Sequence, residues 1–324
     1  MNYTDRIYGK IEIKDPVILD LINCPALQRL KDIDQAGYFE PYFPNTAHSR
    51  FEHSVGTFLL LKKYNAPIEE QIAGLIHDVS HSAFSHCIDY VLDAGSEKEH
   101  SYQDSIFANF VQNSEIPKIL ENYNIDLGYV LDDKNFPLKE KDLPDLCADR
   151  IDYSLRTAVI FGEVNEITYF LSHLKDKDGD WIFDDFESAE EYARLFLKLN
   201  KDYYSGLPSA TMFRTVGDCL KYALKQNYIS LEDLYTTDKK VIEKIANINN
   251  DNYLETLINR MDGKIKTENN LEDYNAIIFC KSRVVDPLCV HNGAIKRISE
   301  VDNNWKNIIK EESKPKQYFL KFAK

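Results

Sequence analysis

Five of the chain's eight histidines, His48, His53, His77, His81 and His86, fall between Asn45 and Asp89, and His77 is followed directly by Asp78. Neutral imidazole and carboxylate are ordinary ligands of a hydrolytic transition metal, and imidazole is the side chain best suited to moving protons near neutral pH. The residue types therefore point to a metal-dependent hydrolase site. Positions three and four apart share a helix face, so His77 can converge with His81, and His86 with Asp89 if residues 86–93 are helical. His53, His77 and Asp78 form a possible metal cluster, while a histidine backed by a carboxylate has the form of an oriented proton donor. A third segment, CADRIDYSLRT (147–157), crowds Asp149, Arg150, Asp152, Tyr153 and Arg156 together. One helical face there can supply an acidic ligand and phosphate-binding cations. Taken singly, His53 reads as an ordinary half-buried histidine and the 149–156 run as a salt-bridged surface; their conjunction argues for chemistry.

The elements that must position these residues read as mostly helical. Residues 1–15 suggest an extended arm or short strand pair, and Pro16 suits the first turn of a helix with Val17, Ile18, Leu21 and Ile22 on its apolar face. PALQRLKDIDQAG is amphipathic and stops at Gly37. Residues 50–64 and 67–79 are two helices, the second with a buried stripe of Ile68, Ile72, Leu75, Ile76 and Val79. Further helices are expected at 86–93, 99–112, 116–123 and 142–160. TYFLSHL and DWIFDDF around KDKDG suggest a β-ribbon near 168–186. A long helical stretch covers 187–226, broken near Ser205-Gly206-Leu207-Pro208, and shorter helices occupy 231–261. NAIIFCKSRVV, AIKRISEV and QYFLKFA are strand-like. The expected organisation is a helical core over 1–265 with the ribbon as an insertion, followed by a small α+β lobe over 266–324.

With 324 residues and 44% apolar content the chain can bury a core. Six widely spaced cysteines without a CxxC pair argue against a zinc ribbon or a disulfide framework and fit free thiols in a reducing compartment. The polar N-terminus and the lack of an apolar run near the ~20 residues of a membrane span lead us to expect a cytoplasmic protein without a membrane partner. A net charge of −14 argues against a general grip on nucleic acid. A small anionic substrate is compatible with it, since a few converging cations can dominate one pocket.

The order His53, His77-Asp78, Asp149 resembles the HD-domain phosphohydrolase superfamily. Within it the chain is similar to the deoxynucleoside triphosphate triphosphohydrolase branch, through Ile7-Tyr8-Gly9, PALQRL (25–30), HSRFEHS (48–54), HDVSHSAFSH (77–86), Asp149-Arg150-Ile151-Asp152-Tyr153 and, more faintly, KSRVVDP (281–287). The resemblance implies an HD-domain helical core and one divalent transition metal held by His53, His77, Asp78 and Asp149. Iron, manganese, zinc, cobalt and nickel all suit such ligands, with magnesium a candidate on the substrate phosphates. It further implies that His81, His86 and His100 line the reaction centre, with Asp89 orienting His86. Arg50, Arg150 and Tyr153 would contact phosphate or sugar, Gln35 the 3′-hydroxyl, and Arg194 a later phosphate.

On that resemblance, metal-activated water attacks the α-phosphorus of a deoxynucleoside triphosphate, and His86 protonates the departing 5′-oxygen to give nucleoside and inorganic triphosphate. A homo-oligomer, dimer or tetramer, is implied as well. Alternatives are another phosphoesterase of the superfamily (a nucleotidase or cyclic-nucleotide phosphodiesterase) and a catalytically weak nucleotide-binding regulator. The chain departs from the family pattern HDxGHGPFSH at Ser80, Ser82 and Ala83, which reshapes the loop if those positions need positive φ. Thr157 replaces an acidic residue of the pattern. Asn23, Gln28 and Lys31 stand where relatives bind an effector guanine, and Asn and Lys lose the bidentate geometry of an acid and an arginine.

Overall fold

The computed structural model describes residues 1–92, 96–98, 100 and 102–323. An antiparallel hairpin, Asn2–Asp5 with Gly9–Glu12, leads into the Pro16–Asn23 helix, which starts on its proline and buries Val17, Ile18, Leu21 and Ile22. The helix at the centre is Arg50–Lys63. Ser49 caps it: the hydroxyl accepts from the Glu52 amide while Glu52 reaches back to the Ser49 amide, satisfying two donors that a helix start leaves open. Eleven of its residues are buried, among them Arg50, His53, Ser54 and Thr57. Polar groups inside a helix covered on all sides need partners; Arg50 and His53 find theirs among other site residues, whereas the Ser54 and Thr57 hydroxyls have none among the described residues.

Ile68–Ile76 packs along one side of this helix and Ala148–Ile160 along the other. Three apolar clusters meet around them. One holds Phe51, Val55, Ile76 and Val79, a second Ala83, Phe84, Cys87 and Phe213, a third Leu60, Ala148, Ile151 and Phe196. Each fully buried side chain of this kind contributes ~1.5–3 kcal/mol. The histidine region is thus wedged between independent blocks of core.

Several segments differ from the sequence reading. The second helix ends at Ile76, so His77 is its C-cap and not a residue within it. Ser85–Tyr90 is a 3-10 turn, and the expected 142–160 helix begins only at Ala148, after a non-helical stretch of which 139–143 line the cavity. TYFLSH is helical, Thr168–His173, and the hairpin is confined to Leu174–Lys177 and Asp180–Phe183. Asp180–Phe183 then pairs in parallel with Leu288–His291, which runs antiparallel to Ala294–Arg297. The helical stretch from Phe186 does break, through a π-turn at Asn200–Tyr204, before Leu207–Lys225. A three-stranded sheet, with Lys316–Phe322 between Thr267–Asn269 and Ala276–Cys280, completes the C-terminal part. Among the described residues no helix is long and apolar enough to cross a membrane.

Candidate metal centre

His53 sits on the central helix, His77 and Asp78 just past the next one, and Asp149 in the first turn of Ala148–Ile160. Packing brings His53, His77 and Asp149 within ligand distance of one another, with Asp78 beside the two histidines. His53 Nε2 lies 2.8 Å from Asp149 Oδ1, 3.1 Å from His77 Nε2 and 3.8 Å from Asp78 Oδ2. His77 Nε2 is 3.4 Å from Asp149 Oδ1 and 3.5 Å from Asp78 Oδ1. Donor atoms ~2.0–2.2 Å from one cation are about 3.0–3.5 Å from their neighbours, so the spacing fits an ion with nitrogen and oxygen ligands.

The outer partners fix which nitrogen faces inward. His53 Nδ1 donates to Asp152 Oδ2 at 2.8 Å and His77 Nδ1 to the Gly74 carbonyl at 2.7 Å, which leaves both Nε2 atoms as lone pairs. Two imidazole lone pairs and the Asp149 carboxylate brought this close, with the Asp78 carboxylate beside them, call for a cation among them. Burial opposes a charged His53, yet Asp149 and Asp152 overcome it and push its pKa up to about 9. The cluster demands positive charge. Asp152 is held by Arg156, and Arg156 also bridges to Asp5 at 3.1 Å. Four carboxylates, Asp5, Asp78, Asp149 and Asp152, thus face two guanidiniums, Arg50 and Arg156. The excess of two negative charges matches a divalent cation.

Arg50 is 3% exposed and donates to Asp78 Oδ2 at 2.8 Å and to Ser85 Oγ at 3.0 Å. Asp78 also accepts from His81 Nε2 at 3.2 Å. Burial alone would raise its pKa, but Arg50, His77 and His81 carry it well below the usual range. Arg29, from the PALQRL segment, donates to the carbonyls of Val79 and His81 at 2.7 Å each and so ties the loop after the His77-Asp78 pair. Ser80, Ser82 and Ala83 do not adopt positive φ; Phe84 (φ 59°) and Ser85 (φ 45°) do. Left-handed non-glycine residues cost ~1–3 kcal/mol each. They are held by Asp238, which accepts the Phe84 and Asp34 amides, and by the Ser85 hydroxyl bonded to the Asp34 carbonyl.

A cavity of about 930 Å³ opens over the cluster, lined by Gln35, Arg50, His77, Asp78, His81, His86, His100, Asp149, Arg150 and Tyr153 among others. That is room for a nucleotide. The rings of His86 and His100 stack at 5.0 Å, and His81 stands edge-on to His86 at 5.1 Å. Burial and the nearby Arg50 hold His86 well below its ordinary pKa. Asp89 Oδ2 is 3.7 Å from His86 Nδ1, beyond a hydrogen bond, while Asp89 Oδ1 accepts the Tyr102 amide. The expected orienting contact is therefore not made in this conformation. His100 Nε2 lies 2.9 Å from the Tyr90 hydroxyl, which donates to the Phe279 carbonyl at 2.8 Å.

Two expected phosphate contacts are occupied otherwise. Arg194 is exposed on the Phe186–Leu199 helix, paired with Glu190 at 2.6 Å and away from the cavity lining. A helical i,i+4 partner explains its place. Arg150 lines the cavity, but its guanidinium donates to the Lys141 and Asp145 carbonyls. Gln28, Lys31 and Asn23 bond locally, Gln28 to the Ile22 carbonyl, Lys31 to Gln28, and Asn23 to the Leu19 carbonyl. Sequence reasoning left Arg29, Asp34, Asp238, Lys281 and Arg283 without roles, and gave Asp152 and Arg156 none beyond the crowded face. The i,i+4 spacing of the last two was a usable signal; the others act across distances that spacing does not reveal.

No family model matches the chain. It is 37% identical over 290 residues to the uncharacterized protein YdhJ of Bacillus subtilis, covering 89% of this chain and 88% of that one. It is 33% identical over 221 residues to the metal-dependent phosphohydrolase cns2 of Cordyceps militaris, covering 66% of this chain and 63% of that one. With the deoxynucleoside triphosphate triphosphohydrolase SAMHD1 of Mus musculus it shares 33% over 143 residues, 38% of this chain and 22% of that one. The chain thus spans less than two thirds of the fungal and mouse proteins. A phosphohydrolase structure from Bacteroides thetaiotaomicron superposes with a TM-score of 0.75 at 19% identity, covering 100% of both chains, and so shares the fold.

Proposed function

From the premise that this chain belongs to the HD-domain phosphohydrolase superfamily, we propose that it hydrolyses a deoxynucleoside triphosphate to nucleoside and inorganic triphosphate. The observation that carries the reading is the convergence of the His53 and His77 lone pairs with Asp78 and Asp149 at the base of a nucleotide-sized cavity. A divalent transition metal held by these four would lower the pKa of a water and neutralise charge at the attacked phosphorus. The chain's own residues do the rest. Arg50, fixed by Asp78 and Ser85, presents its remaining donor to a phosphate oxygen: Nη2 is buried and without a partner. Gln35 Oε1 and His48 Nε2 are likewise buried and unpartnered, and Gln35 stands in the lining where a sugar hydroxyl can donate to it.

His86 supplies the proton to the departing 5′-oxygen. In the free cavity burial first, and then the cationic field of Arg50, Arg283 and Lys281, keeps its ring neutral. A polyphosphate reverses that field, so the ring takes up its proton as substrate binds and holds it beside the leaving group. Similarity to the mouse triphosphohydrolase supports the triphosphate.

A second reading, a nucleotidase or other phosphoesterase, draws on the wall over 133–150. There Lys139 pairs with Asp133, Lys141 with Asp180, and Arg150 with backbone carbonyls, so less positive charge faces the ligand than the residue count suggests. The two separate by product. Purified protein is incubated with each deoxynucleoside and ribonucleoside triphosphate, monophosphate and cyclic nucleotide, in the presence of manganese, iron, cobalt, nickel, zinc or magnesium. Inorganic triphosphate as the phosphorus product supports the first reading; orthophosphate alone sinks it.

A further inference from the structure

Lys281 and Arg283 line the cavity from the segment KSRVVDP, residues 281–287, which follows the Ala276–Cys280 strand. Burial alternates along it: Ser282 and Val284 are 6% and 3% exposed, whereas Lys281 and Arg283 are half-buried and line the cavity. Alternation with a period of two turns residues 281 and 283 to the same face. The backbone that carries them is pinned. Wholly buried Asn200, in the π-turn after Phe186–Leu199, accepts the Arg283 amide at 2.9 Å and donates to the Ser282 hydroxyl at 3.0 Å. Ser282 in turn donates to the Glu312 carbonyl at 2.6 Å, and Asp286 is held by Ser299 at 2.6 Å. Two long cationic side chains are thus mounted on a fixed rail, which lowers the entropy lost when they meet a ligand.

The surroundings of Arg283 set it apart from the other cavity cations. Arg50 is committed to Asp78, Lys139 to Asp133, Lys141 to Asp180 and Arg150 to carbonyls. Among the described residues no carboxylate pairs with the Arg283 guanidinium. Its charge acts on His86, His100, Tyr153 and Tyr204, and that of Lys281 on His86, His100 and Asp104. Two cations whose charge reaches the proton donor and its stacked neighbour mark a place for negative charge beyond the reacting phosphorus.

We propose that Lys281 and Arg283 bind the phosphates beyond the one attacked and so set a preference for polyphosphorylated over monophosphorylated nucleotide. The inference rests on the proposed reading only for which phosphorus is attacked. A charge-assisted hydrogen bond lost from such a subsite costs about 10- to 100-fold in affinity. Inorganic tripolyphosphate and orthophosphate serve as probes, with binding measured by calorimetry on the full chain and on Lys281→Gln, Arg283→Gln and the double variant. Lys306→Gln, on an exposed helix face, is the charge-matched control, and unchanged melting temperatures establish folding.

The expected result is a loss for tripolyphosphate at least tenfold larger than for orthophosphate, absent in the control and recovered in Lys281→Arg and Arg283→Lys. Equal losses for both probes, or none, overturn the proposal, and so does a variant that fails to fold together with conservative variants that fold and bind as the parent does not. If the parent releases no inorganic triphosphate from any nucleotide yet the differential loss persists, the subsite stands and the triphosphohydrolase reading falls.

Discussion

His53 turns its two ring nitrogens to different carboxylates: Nδ1 donates to Asp152 Oδ2 at 2.8 Å, and Nε2 faces Asp149 Oδ1 at 2.8 Å. Asp152 therefore decides the tautomer. In the neutral ring the proton on Nδ1 leaves Nε2 a lone pair, and this close to a carboxylate that nitrogen calls for either a metal cation or a second proton, which is why the pKa of His53 is pushed up to about 9. The Asp152–Arg156–Asp5 chain behind it is fully buried, so the choice is made by residues that never touch the ligand.

Asp152→Asn tests that chain. Its amide can donate to Nδ1 and favour the wrong tautomer, which is expected to weaken metal binding by about 10- to 100-fold. Metal content after dialysis reads this directly. In the parent, added metal at 100 times its dissociation constant adds ~2.7 kcal/mol of stability, visible as a rise in melting temperature that chelator reverses. A parent whose melting temperature ignores every divalent metal would remove the metal centre from this account.

Gly56, on the central helix, lies against the same pair. A Cβ there would stand 2.1 Å from both Arg156 Nη2 and Asp152 Oδ1, and buried groups locked in an ion pair have nowhere to retreat. Gly56→Ala is expected to lose ~1–3 kcal/mol of stability by overpacking, although alanine is the better helix former, and to lose metal with it. A variant as stable as the parent in urea unfolding would show that the helices can separate without cost.

The pH profile should carry the signature of Lys281. Burial lowers its pKa to about 8, Arg283 and Arg150 add to the effect, and Asp104 and Asp89 oppose it. The ammonium is present below that value and is lost as pH rises through it. We expect kcat/KM of the free enzyme for a polyphosphorylated nucleotide to fall by roughly tenfold above pH ~8, mainly through KM. Lys281→Arg keeps its charge and should abolish that limb; persistence of the limb would assign it elsewhere.

His86→Ala should lower kcat by about 10²–10⁴ for a nucleotide, whose 5′-oxygen leaves poorly without a proton. A p-nitrophenyl ester needs no such help. Its turnover should fall far less, and equal losses on both substrates would mean that His86 only shapes the cavity.

The helical class was legible because apolar residues recur at helical spacing through Pro16–Asn23 and Ile68–Ile76, with Pro16 and Pro67 marking their starts and Ser49 that of the helix between them. The strands after residue 266 were legible as runs but not as pairs. The parallel contact between Ile182 and Leu288 joins residues more than a hundred positions apart, and no local pattern encodes it. Thr168–His173 read as strand because Thr, Tyr and Phe favour strands, yet tertiary packing around Phe170 makes it a helix. Arg194 read as a phosphate ligand from a loose match, and a local pairing with Glu190 takes it to the surface.

By itself the sequence determined which side chains were available for chemistry, since residue type fixes ligand character and proton affinity, and the order His53, His77-Asp78, Asp149 fixed the kind of site they could build. Tertiary structure decided their protonation and their freedom. It gave His53 its tautomer through Asp152, bound Arg150 to backbone carbonyls, and brought Lys281 and Arg283 across from the far end of the chain to face His86. Charges interact through space and dielectric rather than along the chain, so those outcomes exist only once the three blocks of core have closed on one another.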